Sequence, residues 1–285
     1  MGEGEWVAMN PARVDTRGYH ISQLDSIWIT ADDIMKRQFT YPSKQLFYNY
    51  VVGQPYAASG LIINDQDIKD SVRLPNPTLS RIEKYPVIIA GIDWGSINWM
   101  LILGVTSTGD IDVLDVYWAN DNPIKPLEPV GYFASIMRAY NPNLIIADAG
   151  YGADRNSFLY TQFPQAFYSC QWLTMKNSES RVKFIDQWSD KTHEVVVDKT
   201  SKMQRMLHKV KGRMIGLFRI DDKMAMLGKH LKNVRIMDEE DDGQVFQVAT
   251  RIGPDHLACC LSYALIGVDR ATNMGTSGTF EYDFL

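Results

Sequence analysis

The sequence is poor in cysteine and has no long apolar run. Its three cysteines in 285 residues include no CxxC pair, so neither a disulfide framework nor a cysteine-ligated metal site is expected. This cysteine usage favours a reducing compartment. No apolar run approaches the roughly 20 residues of a membrane span, and the opening MGEGEW lacks signal-peptide character. The sequence therefore predicts no membrane partner.

Excess positive charge and a nucleotide phosphate loop are also missing. The net charge of −5 argues against indiscriminate nucleic-acid binding, although it does not exclude a local basic face. No GxxxxGK[ST] motif occurs, which excludes an ATP site of that type. The composition is 45% hydrophobic and 22% charged, which is ordinary for a globular protein with one large domain or a domain plus an appendage.

The most informative stretch is PVIIAGIDWG, residues 86–95. Its continuous apolar run predicts a strand buried on both faces, ending at Asp93. A buried carboxylate is costly unless a cation or donor compensates it, so Asp93 is either a hydrogen-bonded structural residue or part of a site. Apolar runs at 99–107 and 111–118, separated by a glycine-containing turn, complete a predicted antiparallel meander.

Alternating helices and strands follow the meander. A helix over 126–140, a strand ending on Asp148, a helix over 155–161 and a strand over 166–173 predict a mixed α/β sheet flanked by helices. In this order the fourth strand commonly lies beside the first, which places Asp93 and Asp148 together at one sheet edge. Two adjacent carboxylates need a counter-cation, and hard oxygen donors favour Mg²⁺ or Mn²⁺. Taken alone, Asp148 could equally be a turn residue.

A third acid opens the last predicted helix, in PDHLACCLSYAL. The helix N-terminus itself favours a carboxylate at Asp255. If the helix packs across the sheet, Asp255 also completes a three-carboxylate cluster with the other two acids. The neighbouring His256 is either a group that positions these acids, a nucleic-acid contact or neither, and its residue type does not decide among them.

The segment 199–213 predicts a helix with an apolar stripe and a strongly basic face. Such a face is either a solvated surface or a site for the backbone of a polyanion. In the second case the residues that contact phosphates are Lys199, Lys202, Arg205, Lys209, Lys211 and Arg213. The acidic segment 237–242 is interpreted as a solvated hairpin tip.

The first 75 residues differ from the rest. We expect a strand at 5–9, a helix from Ala31 capped by Thr30, and a helical stripe over 43–52. The polar, proline-containing stretch 70–85 is interpreted as a linker.

Four segments together resemble a known family. GIDWG, IIADAGYG, the basic helix and PDHLACCLSYAL are similar to the C-terminal nuclease domain of tailed-phage terminase large subunits, which has a ribonuclease H-like fold. The resemblance covers residues 85–271, and residues 1–70 resemble the end of the ATPase domain and the linker. It implies a division into 1–75 and 76–285, with the ATP-binding part outside this chain. One departure is Cys259, where many relatives carry a second acid, and another is Asp148, where some carry glutamate.

The resemblance also implies a function. Asp93, Asp148 and Asp255 would be the catalytic acids and would bind two Mg²⁺ or Mn²⁺ ions. The chain would be an endonuclease that cuts double-stranded DNA during phage genome packaging with little sequence specificity. Its partners would be DNA, a portal protein and the small terminase subunit in the host cytoplasm, and the isolated chain would be monomeric. Two alternatives stay open, an actin-like or sugar-kinase-like ATPase and a non-catalytic docking module.

Overall fold

A computed structural model describes residues 22–40, 47–54, 61–74, 83–122, 124–173, 186–218, 222–241 and 244–274. The chain forms two compact units, residues 1–57 and 58–285. Helix α2 (Asp65–Ser71) and strand β1 (Val72–Leu74) belong to the second unit. The stretch 70–74 is therefore not a linker, since it ends a helix and forms an edge strand. The domain boundary at residue 75 stays a prediction.

The first unit contains helix α1 (Ala31–Thr40) and two single turns, at Gln23–Asp25 and Tyr48–Val52. The predicted cap at Thr30 is confirmed, because its hydroxyl accepts from the Asp33 amide at 3.2 Å and the Asp33 carboxylate accepts from the Thr30 amide at 3.1 Å. The strand expected at 5–9 lies outside the described residues, as does the first part of the helical stripe 43–52.

The second unit is built on a mixed sheet. Its strands after β1 are β2 (Val87–Asp93), β3 (Ile97–Val105), β4 (Ile111–Asn120), β5 (Leu144–Asp148), β6 (Phe167–Leu173), β7 (Gln187–Ser189), β8 (Glu194–Asp198) and β9 (Ile215–Phe218). They lie in the order β1-β9-β4-β3-β2-β5-β6-β8-β7. Strands β2 to β4 form the predicted antiparallel meander, and β5 and β6 run parallel to β2. This is the ribonuclease H-like arrangement, and the predicted fold class is confirmed. The short strands β7, β8 and β9 were not expected.

Helices cover both faces of the sheet. On one face lie α3 (Glu128–Tyr140) and α4 (Ala153–Gln162), whose Phe133 and Leu159 are fully buried. On the other lie α5 (Lys199–Lys211), α6 (Asp222–Asn233) and α7 (His256–Met274). Strands β10 (Val234–Asp241) and β11 (Gln244–Arg251) form a separate antiparallel hairpin, as the sequence predicted. Residues 237–241, which were expected in its tip, are instead paired within β10. Within the described ranges, no helix has the length and apolar content needed to cross a membrane.

Helix α7 lies directly on strand β2. A Cβ atom at Gly91 would lie 2.8 Å from the Ala264 amide nitrogen and would also collide with the Cys260 carbonyl oxygen. Only glycine allows this approach of helix backbone to strand backbone. The contact fixes the beginning of α7 near the carboxyl end of β2, where Asp93 stands.

Candidate active site

Asp93 and Asp148 lie on neighbouring strands at the same edge of the sheet. Strand β2 pairs in parallel with β5, and Ile92 is opposite Ala147. Asp93 and Asp148 are the next residue on each strand. The side-by-side placement expected from the sequence is therefore what the strand register produces.

The Asp93 carboxylate is buried and is held by His256, whose role the sequence left undecided. Nδ1 of His256 donates to Asp93 Oδ2 at 2.7 Å, and the imidazole stacks on Trp99 with the ring planes 5° apart. Burial raises the pKa of Asp93, and the charges of Asp148 and Asp255 raise it further, while the bond from His256 lowers it. The same hydrogen bond raises the pKa of His256. Ionised Asp93 is thus unfavourable without a cation beside it.

The Asp148 carboxylate is held by uncharged donors. Its Oδ2 accepts from the main-chain amides of Gly150 at 3.1 Å and Tyr151 at 3.2 Å. Its Oδ1 accepts from the Tyr263 hydroxyl, on helix α7, at 3.0 Å. Both oxygens are therefore anchored by groups that bring no charge.

A second connection joins the ends of β2 and β5. It runs from the Trp94 side chain through the Asn156 side chain to the main-chain carbonyl of Asp148. The Trp94 indole donates to Asn156 Oδ1 at 2.8 Å, and Asn156 Nδ2 donates to the Asp148 carbonyl at 2.8 Å. A side chain at Gly152 would collide with the Trp94 indole ring. The loop after β5 is thus packed against the residue that follows Asp93.

Asp255 lies at the start of helix α7, as predicted, and is 5% exposed. Its Oδ1 accepts from Arg251 Nη1 at 3.3 Å, and its Oδ2 lies 3.9 Å from the Cys259 sulfur. Burial, together with the charges of Asp93 and Asp255, raises the pKa of the Cys259 thiol well above its usual range. The Cys259 side chain is therefore a neutral thiol, at the helix position where the sequence resemblance implied a second acid.

The beginning of helix α7 is capped by a histidine from α6. His230 Nδ1 accepts from the Leu257 amide at 3.0 Å, and the ring lies edge-on to Trp99 with centroids 4.9 Å apart. Burial lowers the pKa of His230 to about 4, so the ring is the neutral acceptor that the cap requires. No local sequence signal marked this residue.

The three acids approach one sheet edge, but each is bound by its own partner. Among the described residues, no three His, Cys, Asp or Glu side chains are arranged so that they could hold one metal ion. Shared coordination therefore requires side-chain rearrangement from this conformation. The donors themselves fit hard divalent cations, since all three are carboxylates and the charges of Asp148 and Asp255 both act on Asp93.

The six basic residues singled out around α5 have different environments. Lys202 is buried, with its Nζ 2.7 Å from Asp186 and 3.8 Å from Asp269, and Arg205 also pairs with Asp269. Lys209 is half-buried, and burial lowers its pKa. Lys202 and Arg205 are thus engaged within the protein.

The other three basic residues lie nearer to solvent. Lys211 donates to the Ile62 carbonyl at 3.1 Å, and the exposed Arg213 pairs with Asp70. Lys199 is partly exposed in the first turn of α5, directly after β8. Its charge lowers the pKa of Cys259, which places it within electrostatic range of the site.

No protein-family model and no curated protein matches the sequence. Solved structures match its fold. Two crystal forms of the large terminase from a thermophilic bacteriophage have TM-scores of 0.52 and 0.51, with 14% and 13% identity over 86% of this chain. The nuclease domain of the large terminase subunit gp2 of bacterial virus Sf6, solved with manganese, has a TM-score of 0.46 and 9% identity, covering 71% of this chain and 97% of that one.

The match to the large terminase of the thermophilic phage confirms the sequence resemblance at the level of fold. The chain spans about half the length of that protein, with 54% and 53% of the two structures covered.

Proposed function

We propose that this chain is a divalent-metal-dependent DNA endonuclease, with Asp93, Asp148 and Asp255 as the catalytic and metal-binding acids. The observation that supports it most is the buried Asp93 carboxylate. Its pKa is raised by burial and by two further acids that come from distant parts of the chain to the same sheet edge. Such a cluster is unfavourable for folding alone, and perturbed carboxylates of this kind are concentrated at functional sites.

The three acids would hold two Mg²⁺ or Mn²⁺ ions. When bound, such ions supply an activated water and stabilise the leaving oxygen of a phosphodiester. Within the chain, Tyr263 and the Gly150 and Tyr151 amides hold the Asp148 carboxylate in place. The Asn156 bridge keeps the ends of β2 and β5 at a fixed separation.

Double-stranded DNA is the substrate that we propose. Lys199 lies within electrostatic range of the site, and Lys211 and Arg213 are the most exposed of the six basic residues. Contacts from such residues to phosphates carry no base information, so cleavage with little sequence specificity is expected.

We place this activity in phage genome packaging, because the matched structures from the thermophilic phage are those of a large terminase and the sequence motifs resemble that family. In this proposal the chain is the nuclease part of a packaging motor. Its partners there are a portal protein and a small terminase subunit, in the host cytoplasm during virion assembly.

The test is cleavage of supercoiled plasmid by the 285-residue chain with Mn²⁺ or Mg²⁺. We expect nicked and linear products from the wild type and none from Asp93→Asn or in excess chelator. The matched control is Asp110→Asn, which changes an exposed aspartate in the β3–β4 turn at the opposite end of the strands and should leave cleavage intact. Full activity of Asp93→Asn, or DNA binding without cutting under every divalent metal, would falsify the proposal.

A further inference from the structure

We propose that Tyr263 is a positioning residue that fixes the Asp148 carboxylate for metal binding, an inference that rests on the proposed function. Tyr263 is fully buried, and its hydroxyl donates to Asp148 Oδ1 at 3.0 Å. Its ring stacks on Trp172, with centroids 4.7 Å apart and planes at 26°. The phenol is therefore fixed on two sides, by its hydrogen bond and by its ring.

The backbone also determines where this phenol stands. Tyr263 follows Asp255 by about two helical turns, so both side chains project from one face of helix α7. The close contact of Gly91 with the backbone of α7 at Cys260 and Ala264 sets the height of the helix above β2. The distance between the phenol and the end of β5 is thus set by backbone packing and does not depend on a flexible loop.

The partners of the three acids differ in charge, and this difference identifies Asp148 as the fixed acid. Asp93 is held by His256 and Asp255 by Arg251, both of which are basic groups that compete with a metal ion for the same carboxylate. Asp148 is held by two amides and a phenol, which orient a carboxylate without neutralising it. The Tyr263 hydroxyl, from a fully buried side chain, is one of these uncharged donors.

Loss of the Tyr263 hydroxyl would leave Asp148 held through Oδ2 alone. The carboxylate could then turn about that anchor, and metal binding would have to order it again. Removal of an outer-shell partner typically weakens metal affinity by about 10- to 100-fold. Because the two amides remain, we expect the lower end of this range.

The experiment is a Mn²⁺ titration of the intact chain carrying Tyr263→Phe, with free Mn²⁺ measured by electron paramagnetic resonance. Plasmid cleavage is followed in parallel against Mn²⁺ concentration. We expect affinity about 10-fold weaker than that of the wild type, with the maximal cleavage rate changed by no more than about 2-fold. This division between binding and maximal rate is the signature of a residue that acts by placing a ligand.

The matched control is Tyr168→Phe. Tyr168 is also buried and donates to an aspartate, Asp190 Oδ1, at 2.9 Å, but it lies outside the site. This variant should bind Mn²⁺ like the wild type. In an Asp148→Asn background, Tyr263→Phe should cause no additional loss, because the group through which it acts is gone.

Three results separate the possibilities. Unchanged or tighter Mn²⁺ binding by Tyr263→Phe overturns the positioning role while the nuclease assignment stands. An equal loss in Tyr168→Phe also overturns it, because the effect is then one of general stability. A wild-type chain that neither binds Mn²⁺ nor cuts DNA overturns the proposed function itself, and the positioning role with it.

Discussion

Two of the three proposed catalytic acids are held by side chains from helix α7. Asp93 and Asp148 each end an apolar strand, and parallel pairing brings such ends to one edge. His256 and Tyr263 bind these acids across elements that are far apart in sequence, at separations of 163 and 115 residues. The sequence left the role of His256 undecided, and no local pattern around Tyr263 indicates a hydrogen bond to Asp148.

His230 should make stability depend on pH. Its folded pKa of about 4 lies below the ordinary value of 6.5, so between these pH values the unfolded chain binds more protons than the native one. The free energy of unfolding should therefore fall as pH drops from about 6.5 to about 4, with a slope of up to about 1.4 kcal/mol per pH unit from this residue. Above that window its contribution is fully present. Urea unfolding between pH 7 and pH 4 measures the slope.

The variant for this measurement is His230→Asn, whose amide oxygen can accept from the Leu257 amide in place of Nδ1. It keeps the cap and removes the titration, so its stability curve should be flatter than that of the wild type. His230→Ala also loses the cap and should cost about 1 kcal/mol at neutral pH. Parallel curves for the wild type and His230→Asn would contradict the assignment.

Secondary-structure elements were predicted well where apolar periodicity was strong and poorly where strands were short. The meander, α3, α4 and β5 lie close to their expected positions. Strands β7 and β8 occur in a polar segment whose composition does not predict strands. They form because β8 pairs with β6 and β7 pairs with β8. The basic helix was found, but Asp186 and Asp269, which pair with it, lie on segments whose packing the sequence does not reveal.

The contact between α7 and β2 predicts a large effect of one methyl group. Gly91→Ala would place a Cβ against the backbone of Cys260 and Ala264, which cannot yield as a side chain can. We expect a loss of about 3 kcal/mol or more in the free energy of unfolding, measured in urea. The control is Gly131→Ala in α3, where nothing lies within 4 Å of the added Cβ. That variant should gain about 0.5 to 1 kcal/mol from helix propensity.

Substitutions of two lysines of α5 should affect different properties, one of them the stability of the chain and the other its DNA binding. Lys202→Met leaves the half-buried Asp186 without its cation and should cost about 3 kcal/mol of stability, with little change in DNA affinity. Under the proposed function, Lys199→Ala should leave stability nearly unchanged and reduce the slope of log affinity against log salt by about 1. Fluorescence anisotropy with duplex DNA at several salt concentrations gives the slopes. A loss of DNA affinity in folded Lys202→Met, with none in Lys199→Ala, would reverse this assignment.

For the molecule as a whole, the two compact units divide between residues 57 and 58, whereas the sequence was interpreted as two domains that divide at residue 75. The sequence marked 70–85 as polar and proline-containing, which is typical of a linker. However, Ile68 is buried against Gly228, and the Ser71 hydroxyl donates to the Val210 carbonyl at 3.3 Å. Strand β1 completes the sheet beside β9. These tertiary contacts outweigh the local composition.

Two truncations test where the second unit begins. A chain that starts at residue 58 keeps α2 and β1 and should unfold cooperatively with the stability of the same region in the intact chain. A chain that starts at residue 76 uncovers Gly228 and the edge of β9, and should lose about 2 kcal/mol or more. Thermal unfolding of both chains is the measurement. Equal stability of the two would return the boundary to residue 75.

The dependence of the sheet on α7 has a consequence for synthesis on the ribosome. His256 follows its partner Asp93 by 163 residues. At a translation rate of about 5 to 20 residues per second, helix α7 is therefore synthesised roughly 10 to 30 seconds after strand β2. During that interval the nascent sheet exposes the apolar face that α7 later buries, and chaperones have a surface to bind. The same delay keeps Asp255 and Tyr263 away from the other two acids until translation has passed them. A partly synthesised chain therefore lacks the complete site until α7 has left the ribosome.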